Sequence, residues 1–305
     1  MKVLAHIRAW VLSKVVTRLI KAPTLDLTTR EVPQPEEILV PTRHGNVRCF
    51  ITRPARDAPL SATAKAPPIH INIHGGAFLI GAPRQDEQIV RAIAGQVGAV
   101  VVNIDYSTSP RLRFPRAHEE CFDVFNWLRN ESNRLGWDGE RMSIGGGSAG
   151  ANLALGVVEL LRRAGRPTVR TAVLTVPLVD ATVPPSHFAS QPGKPFVNAS
   201  LIRTINATYF ADSSCRADPL ASPVLLTTKE FAVLPPLLVL AAENDSLRPQ
   251  AARFVTKARD AGVEVSYQVI PGVDHDFPVM SSTANETGQR EAGRSIVEHL
   301  LNWLS

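Results

Sequence analysis

One stretch of the chain, residues 141–162, constrains the fold more than any other. A strand-like run passes through a glycine-rich turn into a helix-forming run, and the turn carries Gly146, Ser148 and Gly150 in the spacing G-x-S-x-G. A sharp strand-to-helix turn crowds the positions two before and two after the serine, and glycine relieves the crowding because it has no Cβ. Such a turn holds a serine hydroxyl clear of the backbone, where a base can reach it. The pattern is therefore typical of a nucleophile elbow.

Two other interpretations of this stretch stay open at this point. Gly145, Gly147 and Gly150 spell G-x-G-x-x-G, which in a strand-to-helix context is also the dinucleotide-binding fingerprint. That motif requires an acidic residue about 20 positions further on, at the end of the next strand. The first acid after the next strand-like run here is Asp180. A plain glycine-rich turn with a chance serine is the third interpretation, and the rest of the chain has to decide.

Composition limits the classes of protein that the chain can represent. Its 305 residues are 44% hydrophobic and 20% charged, which fits one large α/β domain as well as two smaller domains. The net charge is +5, but Lys and Arg are scattered, so nucleic acid is not an expected partner. Cys49, Cys121 and Cys215 lie far apart with no C-x-x-C pair, which predicts neither a disulfide framework nor a zinc site. A reducing cytoplasm is the simplest location for such a chain.

The N-terminal residues 3–20 place apolar side chains at helical spacing and predict an amphipathic helix. Arg8, Lys14 and Arg18 interrupt any apolar core of a signal peptide. No apolar run approaches the ~20 residues of a membrane-spanning helix. Three roles remain open for this helix. It can simply pack on its own domain, it can form part of a lid, or it can lie on a membrane surface, which makes peripheral membrane contact one expected interaction.

Strands alternate with helices along most of the chain. Besides the strand of the elbow, strand-like runs occupy 37–41, 47–54, 69–74, 99–105, 171–177, 237–242 and 264–270, and helical stretches occupy 86–97, 116–133, 249–261 and 287–304. The alternation predicts a largely parallel, doubly wound sheet. The proline-rich residues 180–235, with helical pieces near 198–211, break it and predict an insertion over the sheet.

Three residues that follow strand-like runs have the order of a hydrolase triad. Ser148, Asp245 and His275 each come soon after such a run, and ligands of open α/β sheets bind beyond the carboxyl ends of strands. Ser…Asp…His is the chain order of α/β-hydrolases. His275 would take the proton of Ser148 and return it to a leaving alcohol, while Asp245 would orient the imidazole. The competing acids near the same strand ends are Glu243, Asp274 and Asp276.

A second glycine pair, Gly75 and Gly76, follows the strand at 69–74. Glycines at a strand end let backbone N–H groups point into a site, so the amides of Gly75, Gly76 and Ala149 are the expected oxyanion hole. His70 and His74 lie on one face of the same strand, where a metal pair is conceivable. Catalytic zinc usually has three protein ligands and no third lies nearby, so neither a metal nor a cofactor is expected.

Taken together, the motifs resemble those of the hormone-sensitive-lipase family of α/β-hydrolase esterases, also called the bacterial type IV esterases. The resemblance covers about residues 65–300. The matching pieces are His74-Gly75-Gly76-Ala77-Phe78, the Asp105-Tyr106…Pro110…Phe114-Pro115 segment with Trp127-Leu128 after it, Gly146-Gly147-Ser148-Ala149-Gly150 with Asn152, Asp218-Pro219…Ser222-Pro223, Asp245-Ser246-Leu247-Arg248, and Gly272…His275-Asp276-Phe277.

The resemblance implies an α/β-hydrolase fold, with a mostly parallel eight-stranded sheet flanked by helices and covered by a helical cap. The implied division places the N-terminal part of the cap and the first strand in 1–45 and the cap insertion in 183–225. The catalytic core then comprises 46–182 and 226–305.

Four positions depart from the usual pattern of the family. Gly147 stands where an acid or threonine is frequent, Ala77 replaces a frequent third glycine, Pro249 replaces a second acid, and Asp276 replaces the glycine after the histidine. None of these changes removes a triad residue. They bear on the range of substrates more than on activity.

The resemblance implies a serine carboxylesterase that hydrolyses short- to medium-chain esters through an acyl-enzyme on Ser148. The protein would be a monomer or homodimer whose partner is a small-molecule ester. An amide, carbamate or aryl-formamide hydrolase with the same triad is the alternative. The same fold also serves as a small-molecule receptor, as in plant gibberellin receptors, which have lost the catalytic histidine. The presence of His275 argues against a receptor.

Overall fold

A single eight-stranded sheet organises the computed structural model, which describes residues 2–19, 25–63, 65–189 and 195–305. The strands are β1 (Glu36–Thr42), β2 (Gly45–Thr52), β3 (Ile69–Ile73), β4 (Val100–Asp105), β5 (Met142–Gly147), β6 (Thr171–Thr175), β7 (Leu237–Ala242) and β8 (Val265–Ile270). Their order across the sheet is β1-β2-β4-β3-β5-β6-β7-β8. β2 pairs antiparallel with β1 and β4, and all other neighbours pair parallel. The prediction of a mostly parallel eight-stranded sheet is confirmed.

Helices flank the sheet and fill most of the connections. They are α1 (Lys2–Val11), α2 (Thr17–Leu19), α3 (Glu87–Ala92), α4 (Arg116–Asn130), α5 (Ser132–Leu135), α6 (Ala149–Arg163), α7 (Ala199–Thr208), α8 (Thr228–Phe231), α9 (Arg248–Asp260) and α10 (Thr283–Leu304). Wider π-helical turns join α1 to α2 and extend α3. Because helices cover both faces, β3 and β7 are buried throughout, and β4, β5 and β6 are buried except at their last residue.

The core consists of two buried clusters, one on each face of the sheet. Val100 and Val102 belong to the first cluster together with Phe125 of α4. Val101, between them, belongs to the second cluster together with Ile296 of α10. This division follows from the strand period of two, which turns successive side chains to opposite faces. The carboxyl ends of the parallel strands are thus supported from both faces of the sheet by packed helices.

The connection from β6 to β7 contains α7, α8 and short helical turns rather than one crossover helix. The side chain of Asn198 caps α7 by accepting hydrogen bonds from the backbone N–H groups of Ser200 and Leu201. α1 packs against α7, so the N-terminal helix and the insertion contact each other. Residues 1, 20–24 and 190–194 of the two predicted cap pieces lie outside the described residues. The division into 1–45, 46–182, 183–225 and 226–305 stays a prediction.

α1 has one covered face and one apolar outer face. Ala9 is fully buried. The outer face exposes Leu4, Ile7, Trp10 and Val11, and Val15 is exposed in the π-helical turn that follows. Among the described residues, no helix has both the length and the apolar character needed to cross a membrane.

Candidate active site

The turn between β5 and α6 requires glycine on both sides of Ser148. A Cβ on Gly146 would lie 2.2 Å from the carbonyl oxygen of Ile73, and a Cβ on Gly150 would lie 1.9 Å from the same oxygen. Neither distance leaves room for a side chain, because β3 passes directly beside the turn. The G-x-S-x-G spacing therefore reflects close contact of the end of β3 with both β5 and the first turn of α6.

Ser148 itself adopts an unusual backbone conformation, with φ 55° and ψ −114°. Its N–H donates to the carbonyl oxygen of Thr175 over 2.8 Å, and its own carbonyl accepts from the N–H of Asn152 over 3.2 Å. These bonds tie the residue to β6 and to the first turn of α6. A positive φ is strained for any residue that carries a Cβ.

We expect Ser148→Gly to be more stable than Ser148→Ala. Both variants lack the hydroxyl, but only glycine adopts a φ of 55° without strain. The relief of strain is partly offset by the greater flexibility of glycine in the unfolded chain, which leaves a net difference of about 1 kcal/mol in the free energy of unfolding. Urea denaturation of the two variants measures it. Equal midpoints would contradict the strained elbow.

The structure brings the three predicted triad residues into one chain of hydrogen bonds. His275 Nε2 lies 2.8 Å from Ser148 Oγ, and His275 Nδ1 lies 2.8 Å from Asp245 Oδ2. Asp245 and His275 are buried, and they follow β7 and β8 at the carboxyl edge where β5 also ends. The imidazole is thus held between a hydroxyl that it can deprotonate and a carboxylate that fixes its orientation.

Two of the three competing acids, Glu243 and Asp274, are engaged elsewhere. Glu243 Oε2 accepts the backbone N–H of Gly272 over 2.7 Å, so this carboxylate supports the loop after β8 rather than the imidazole. Asp274 Oδ1 accepts the backbone N–H of His275 over 2.6 Å. Among the described residues, the carboxylate on the imidazole of His275 is that of Asp245.

Charge and burial act in opposite directions on the imidazole of His275. Burial lowers its pKa, but the negative charge of Asp245 and the hydrogen bond to it raise the pKa, with smaller contributions from Asp274 and Asp276. The net result is a pKa raised above the ordinary value of 6.5. The protonated imidazole that forms during proton transfer is therefore stabilised in place.

The loop after β3 has its carbonyls fixed by side chains. The hydroxyl of Tyr106 donates to the carbonyl oxygen of His74 over 3.1 Å, and Nδ1 of His74 lies 2.7 Å from the carbonyl oxygen of Gly75. In a trans peptide the N–H points away from the C=O, so the amides of Gly75 and Gly76 are turned away from Tyr106. Gly75 adjoins the elbow, because a Cβ placed on it would lie 3.0 Å from the carbonyl oxygen of Gly147.

Ala149 is the first residue of α6, so its N–H has no partner within the helix. It follows Ser148 directly, at the positive end of the helix dipole. Gly76 needs to be glycine, since its φ is +119° and a Cβ would lie 2.6 Å from the carbonyl oxygen of Ile80. The three amides predicted to form an oxyanion hole thus belong to two adjoining turns beside Ser148.

His70 and His74 have structural partners of their own. Nδ1 of His70 lies 2.9 Å from Ser143 Oγ, and burial lowers the pKa of His70 to about 3. Burial likewise lowers the pKa of His74 to about 4, and its ring stacks on Tyr106 with centroids 4.3 Å apart. Both imidazoles are therefore neutral at physiological pH. Within the described part of the chain, no three His, Cys, Asp or Glu side chains are grouped to hold a metal ion.

Two glutamines hold the loop that carries His275, and no sequence motif points to either of them. Gln289 Nε2 donates to the carbonyl oxygen of Phe277 over 2.6 Å. Gln88 Nε2 donates to the carbonyl oxygen of Pro278 over 2.5 Å. The contact of Gln88 joins residues 190 positions apart in the chain. A glutamine on a helix carries no motif that would reveal either contact.

Three of the four departures from the family pattern, at Gly147, Ala77 and Pro249, are compatible with this geometry. A Cβ on Gly147 would meet nothing within 4 Å, so the structure does not require glycine there. Ala77 has a φ of 57°, which explains why glycine is frequent at this position. Pro249 lies in the first turn of α9, where proline is well accommodated.

Comparison with known proteins agrees with the fold. A family model described as the alpha/beta hydrolase fold matches residues 70–279, which is more than half of the chain. The chain belongs to the α/β-hydrolase family. The dinucleotide-binding interpretation of the glycines is therefore set aside. The resemblance to the esterases of this family, inferred from the motifs, is confirmed.

Several relatives of this α/β-hydrolase are named for ester hydrolysis. An ethyl acetate hydrolase of Pseudomonas putida is 29% identical over 259 residues, which is 83% of this chain and 78% of the relative. An arylesterase of Saccharolobus solfataricus is 27% identical over 208 residues, covering 68% of this chain and 67% of the relative. The solved structure of an esterase of Pyrobaculum calidifontis superimposes with a TM-score of 0.79 at 27% identity, covering 99% of this chain and 91% of that one.

Proposed function

We propose that this α/β-hydrolase is a serine carboxylesterase that hydrolyses carboxylic esters through an acyl-enzyme on Ser148. The observation that carries the proposal is the hydrogen-bonded chain from Ser148 Oγ through His275 to Asp245. The esterase names of the relatives support the same reaction class.

The first half of the reaction forms the acyl-enzyme. Ser148 Oγ attacks the ester carbonyl carbon while Nε2 of His275 accepts the hydroxyl proton, and the carbonyl π electrons move to the oxygen. The amides of Gly75, Gly76 and Ala149 donate hydrogen bonds to this oxyanion. The carbonyl then re-forms, the bond to the alcohol oxygen breaks, and His275 donates its proton to the departing alcohol.

The second half repeats these steps with water as the nucleophile. His275 accepts a proton from water, the resulting hydroxide oxygen attacks the acyl carbon, and Ser148 leaves with the proton that His275 returns. Asp245 remains ionised and stabilises the imidazolium in both halves. The products are a carboxylic acid and an alcohol, so no cofactor is consumed.

A panel of substrates tests the proposed reaction class. The series runs from acetate to palmitate esters of one alcohol and includes a matched amide and a triacylglycerol. We expect the highest kcat/KM for short and medium acyl chains, because a cap over the site limits how many CH2 groups can be buried, although each contributes about 0.8 kcal/mol. Faster cleavage of the amide than of its matched ester would instead favour an amidase.

We expect kcat/KM to fall on the acid side with a single ionisation whose midpoint lies above 6.5. His275 must be neutral to accept the proton of Ser148, and its pKa is raised, so activity is present above the midpoint and is lost as the pH falls through it. A pH–rate profile with a soluble ester measures the midpoint. This fall in kcat/KM is the acid limb of the profile. His275→Ala should abolish the acid limb together with nearly all activity. An acid limb that persists in the variant would assign the base to another group.

Deleting residues 1–22 should raise KM for soluble esters and promote aggregation. The deletion removes α1, which packs on α7, and so uncovers apolar cap surface. Ser148 should still react with an active-site phosphonate, because the core sheet does not depend on α1. Steady-state kinetics and light scattering measure the two effects. An unchanged KM would mean that α1 is not part of the substrate-binding cap.

The exposed face of α1 supports peripheral contact with anionic membranes as an additional interaction. Trp10 is 56% exposed on this face, and the exposed Lys14 and Arg18 can meet anionic headgroups. Trp10→Ser should weaken flotation with anionic vesicles without changing kinetics on soluble esters. If deletion of 1–22 abolishes flotation and leaves the kinetics unchanged, α1 is an anchor and the cap assignment is wrong.

A cytoplasmic location is part of the same proposal. Cys49, Cys121 and Cys215 are all free thiols, and Cys49 and Cys121 are buried. Reducing compartments maintain such thiols. Fractionation of cells that express the tagged protein tests the location, and recovery in a secreted fraction would contradict it.

A further inference from the structure

The segment Phe196–Val197 is fastened to both residues that adjoin the triad acid and base. The backbone N–H of Phe196 donates to Asp274 Oδ2 over 2.9 Å. Ser246 Oγ donates to the carbonyl oxygen of Val197 over 2.7 Å. Asp274 directly precedes His275 and Ser246 directly follows Asp245. We call these two hydrogen bonds the latch.

The latch holds an aromatic ring over the imidazole. The rings of Phe196 and His275 are nearly parallel, with centroids 6.0 Å apart and an interplanar angle of 16°. Phe196 is nevertheless 49% exposed, so much of its surface is open to a ligand. A half-exposed phenylalanine gains little from packing, and here its backbone hydrogen bonds fix its position instead.

The chemistry of the proposed reaction places the alcohol part of an ester beside this ring. The oxygen of the departing alcohol receives a proton from the imidazole, so it must come within hydrogen-bond reach of Nε2 of His275. The group attached to that oxygen therefore lies next to the imidazole that Phe196 covers. Aromatic rings attract each other in offset-stacked or edge-to-face arrangements, and these add to the gain from apolar burial. A flat, apolar alcohol would therefore gain more from Phe196 than a small aliphatic alcohol.

We propose that Phe196 is the specificity-determining residue for the alcohol part of the ester, that it favours flat aromatic alcohols, and that the latch positions it. This inference rests on the proposed esterase function. Ser246 and Asp274 are positioning residues in this arrangement, since their hydrogen bonds hold the Phe196–Val197 segment and neither side chain is required to contact the substrate.

A comparison of benzyl acetate with ethyl acetate separates the preference of Phe196 for a flat alcohol from the chemical reactivity of the ester. They share one acyl group, and both release an unactivated alcohol. For Phe196→Ala we expect the ratio of kcat/KM for benzyl over ethyl acetate to fall about 3- to 10-fold, the range of an aromatic pair interaction. Most of the loss should come from the benzyl ester. Phe196→Tyr should retain the ratio, and Phe196→Leu, which keeps an apolar side chain without the flat ring, should lose most of it.

Val233→Ala is the matched control. Val233 is 54% exposed and lies before the first residue of β7, whereas Ser148 follows the last residue of β5. The two residues are therefore at opposite ends of the parallel strands, and truncation of Val233 should leave the ratio unchanged. An unchanged ratio in both Phe196→Ala and Phe196→Leu would overturn the proposal. A fall of the same size in Val233→Ala would also overturn it, because the effect would not be specific to Phe196.

The latch is tested by a double-mutant cycle. Ser246→Ala removes the hydrogen bond to Val197 without changing charge, and should lower the benzyl-to-ethyl ratio by a smaller factor than Phe196→Ala. The double variant should show no further loss beyond Phe196→Ala alone, because the latch acts only through the ring. The acid-limb midpoint of kcat/KM should stay unchanged in Ser246→Ala. Additive losses, or a shifted midpoint, would show that Ser246 acts on Asp245 instead.

Failure of this inference differs from failure of the proposed function. If the wild-type protein hydrolyses both acetates but Phe196 does not affect their ratio, only the specificity assignment fails. If it hydrolyses neither ester and a phosphonate does not label Ser148, the esterase proposal fails, and this inference fails with it.

Discussion

Ser148→Ala should lower kcat for p-nitrophenyl acetate by on the order of 10⁶-fold, as loss of the nucleophile does in other serine hydrolases. The hydroxyl is the group that His275 Nε2 contacts at 2.8 Å, and alanine has no atom that can form the acyl bond. A residual rate above that in water should remain, because the oxyanion hole and substrate binding are intact. Single-turnover and steady-state assays with the activated ester measure the loss.

The folded structure should survive this change. Alanine carries the same Cβ as serine, so the strain at the elbow is unaltered, and the far-UV spectrum and melting temperature should stay close to those of the wild type. Ser213→Ala, at an exposed serine of the connection between β6 and β7, is the matched control and should keep full activity. Wild-type rates in Ser148→Ala would show that another residue is the nucleophile.

Asp245→Asn should lower kcat by on the order of 10⁴-fold, the effect known for a triad acid replaced by its amide. The carboxylate contacts Nδ1 of His275 at 2.8 Å, and an amide in its place would favour the wrong imidazole tautomer. The change should also lower the acid-limb midpoint, because Asp245 raises the pKa of His275. Steady-state kinetics over a range of pH values measure both effects.

Glu243→Gln is the matched control for the acid. Glu243 lies two positions from Asp245, but its carboxylate accepts the N–H of Gly272 and supports the loop instead. We expect a far smaller loss of activity than for Asp245→Asn. A larger loss in Glu243→Gln would refute the assignment of Asp245 as the acid that orients His275.

The elbow could be predicted from sequence because its signal is local and steric. Gly146 and Gly150 flank Ser148 at fixed spacing, and the structure shows that a Cβ at either position would collide with the backbone of β3. The sheet could be predicted for a related reason. Buried parallel strands read as continuous apolar runs, and these strands are buried almost throughout.

Contacts between distant parts of the chain could not be predicted in this way. Phe196 contacts His275, and Gln88 donates a hydrogen bond to the loop that carries His275. Both contacts form only because the folded sheet places distant segments of the chain side by side. Neither residue lies in a motif. The choice among the acids near His275 also depended on the resemblance, because Asp245 and Glu243 share the same strand end. The hydrogen bonds distinguish them.

Helix boundaries depended on caps that periodicity does not detect. The last helix was predicted from residue 287 but begins at Thr283, because the side chain of Ser282 accepts the N–H of Asn285 and caps an extra turn. The short α8 was not predicted at all. It is held by a capping box between Thr227 and Glu230, which is a signal that the sequence does contain.

Mass spectrometry of the protein after reaction with a p-nitrophenyl phosphonate tests the central claim most directly. The phosphorus mimics the tetrahedral centre of the reaction, and the adduct on the nucleophile is stable enough to map to a peptide. We expect one adduct per chain, located on Ser148, formed in proportion to the loss of esterase activity and absent from Ser148→Ala. Full loss of activity with Ser148 unmodified, or an adduct on a different residue, would contradict the account.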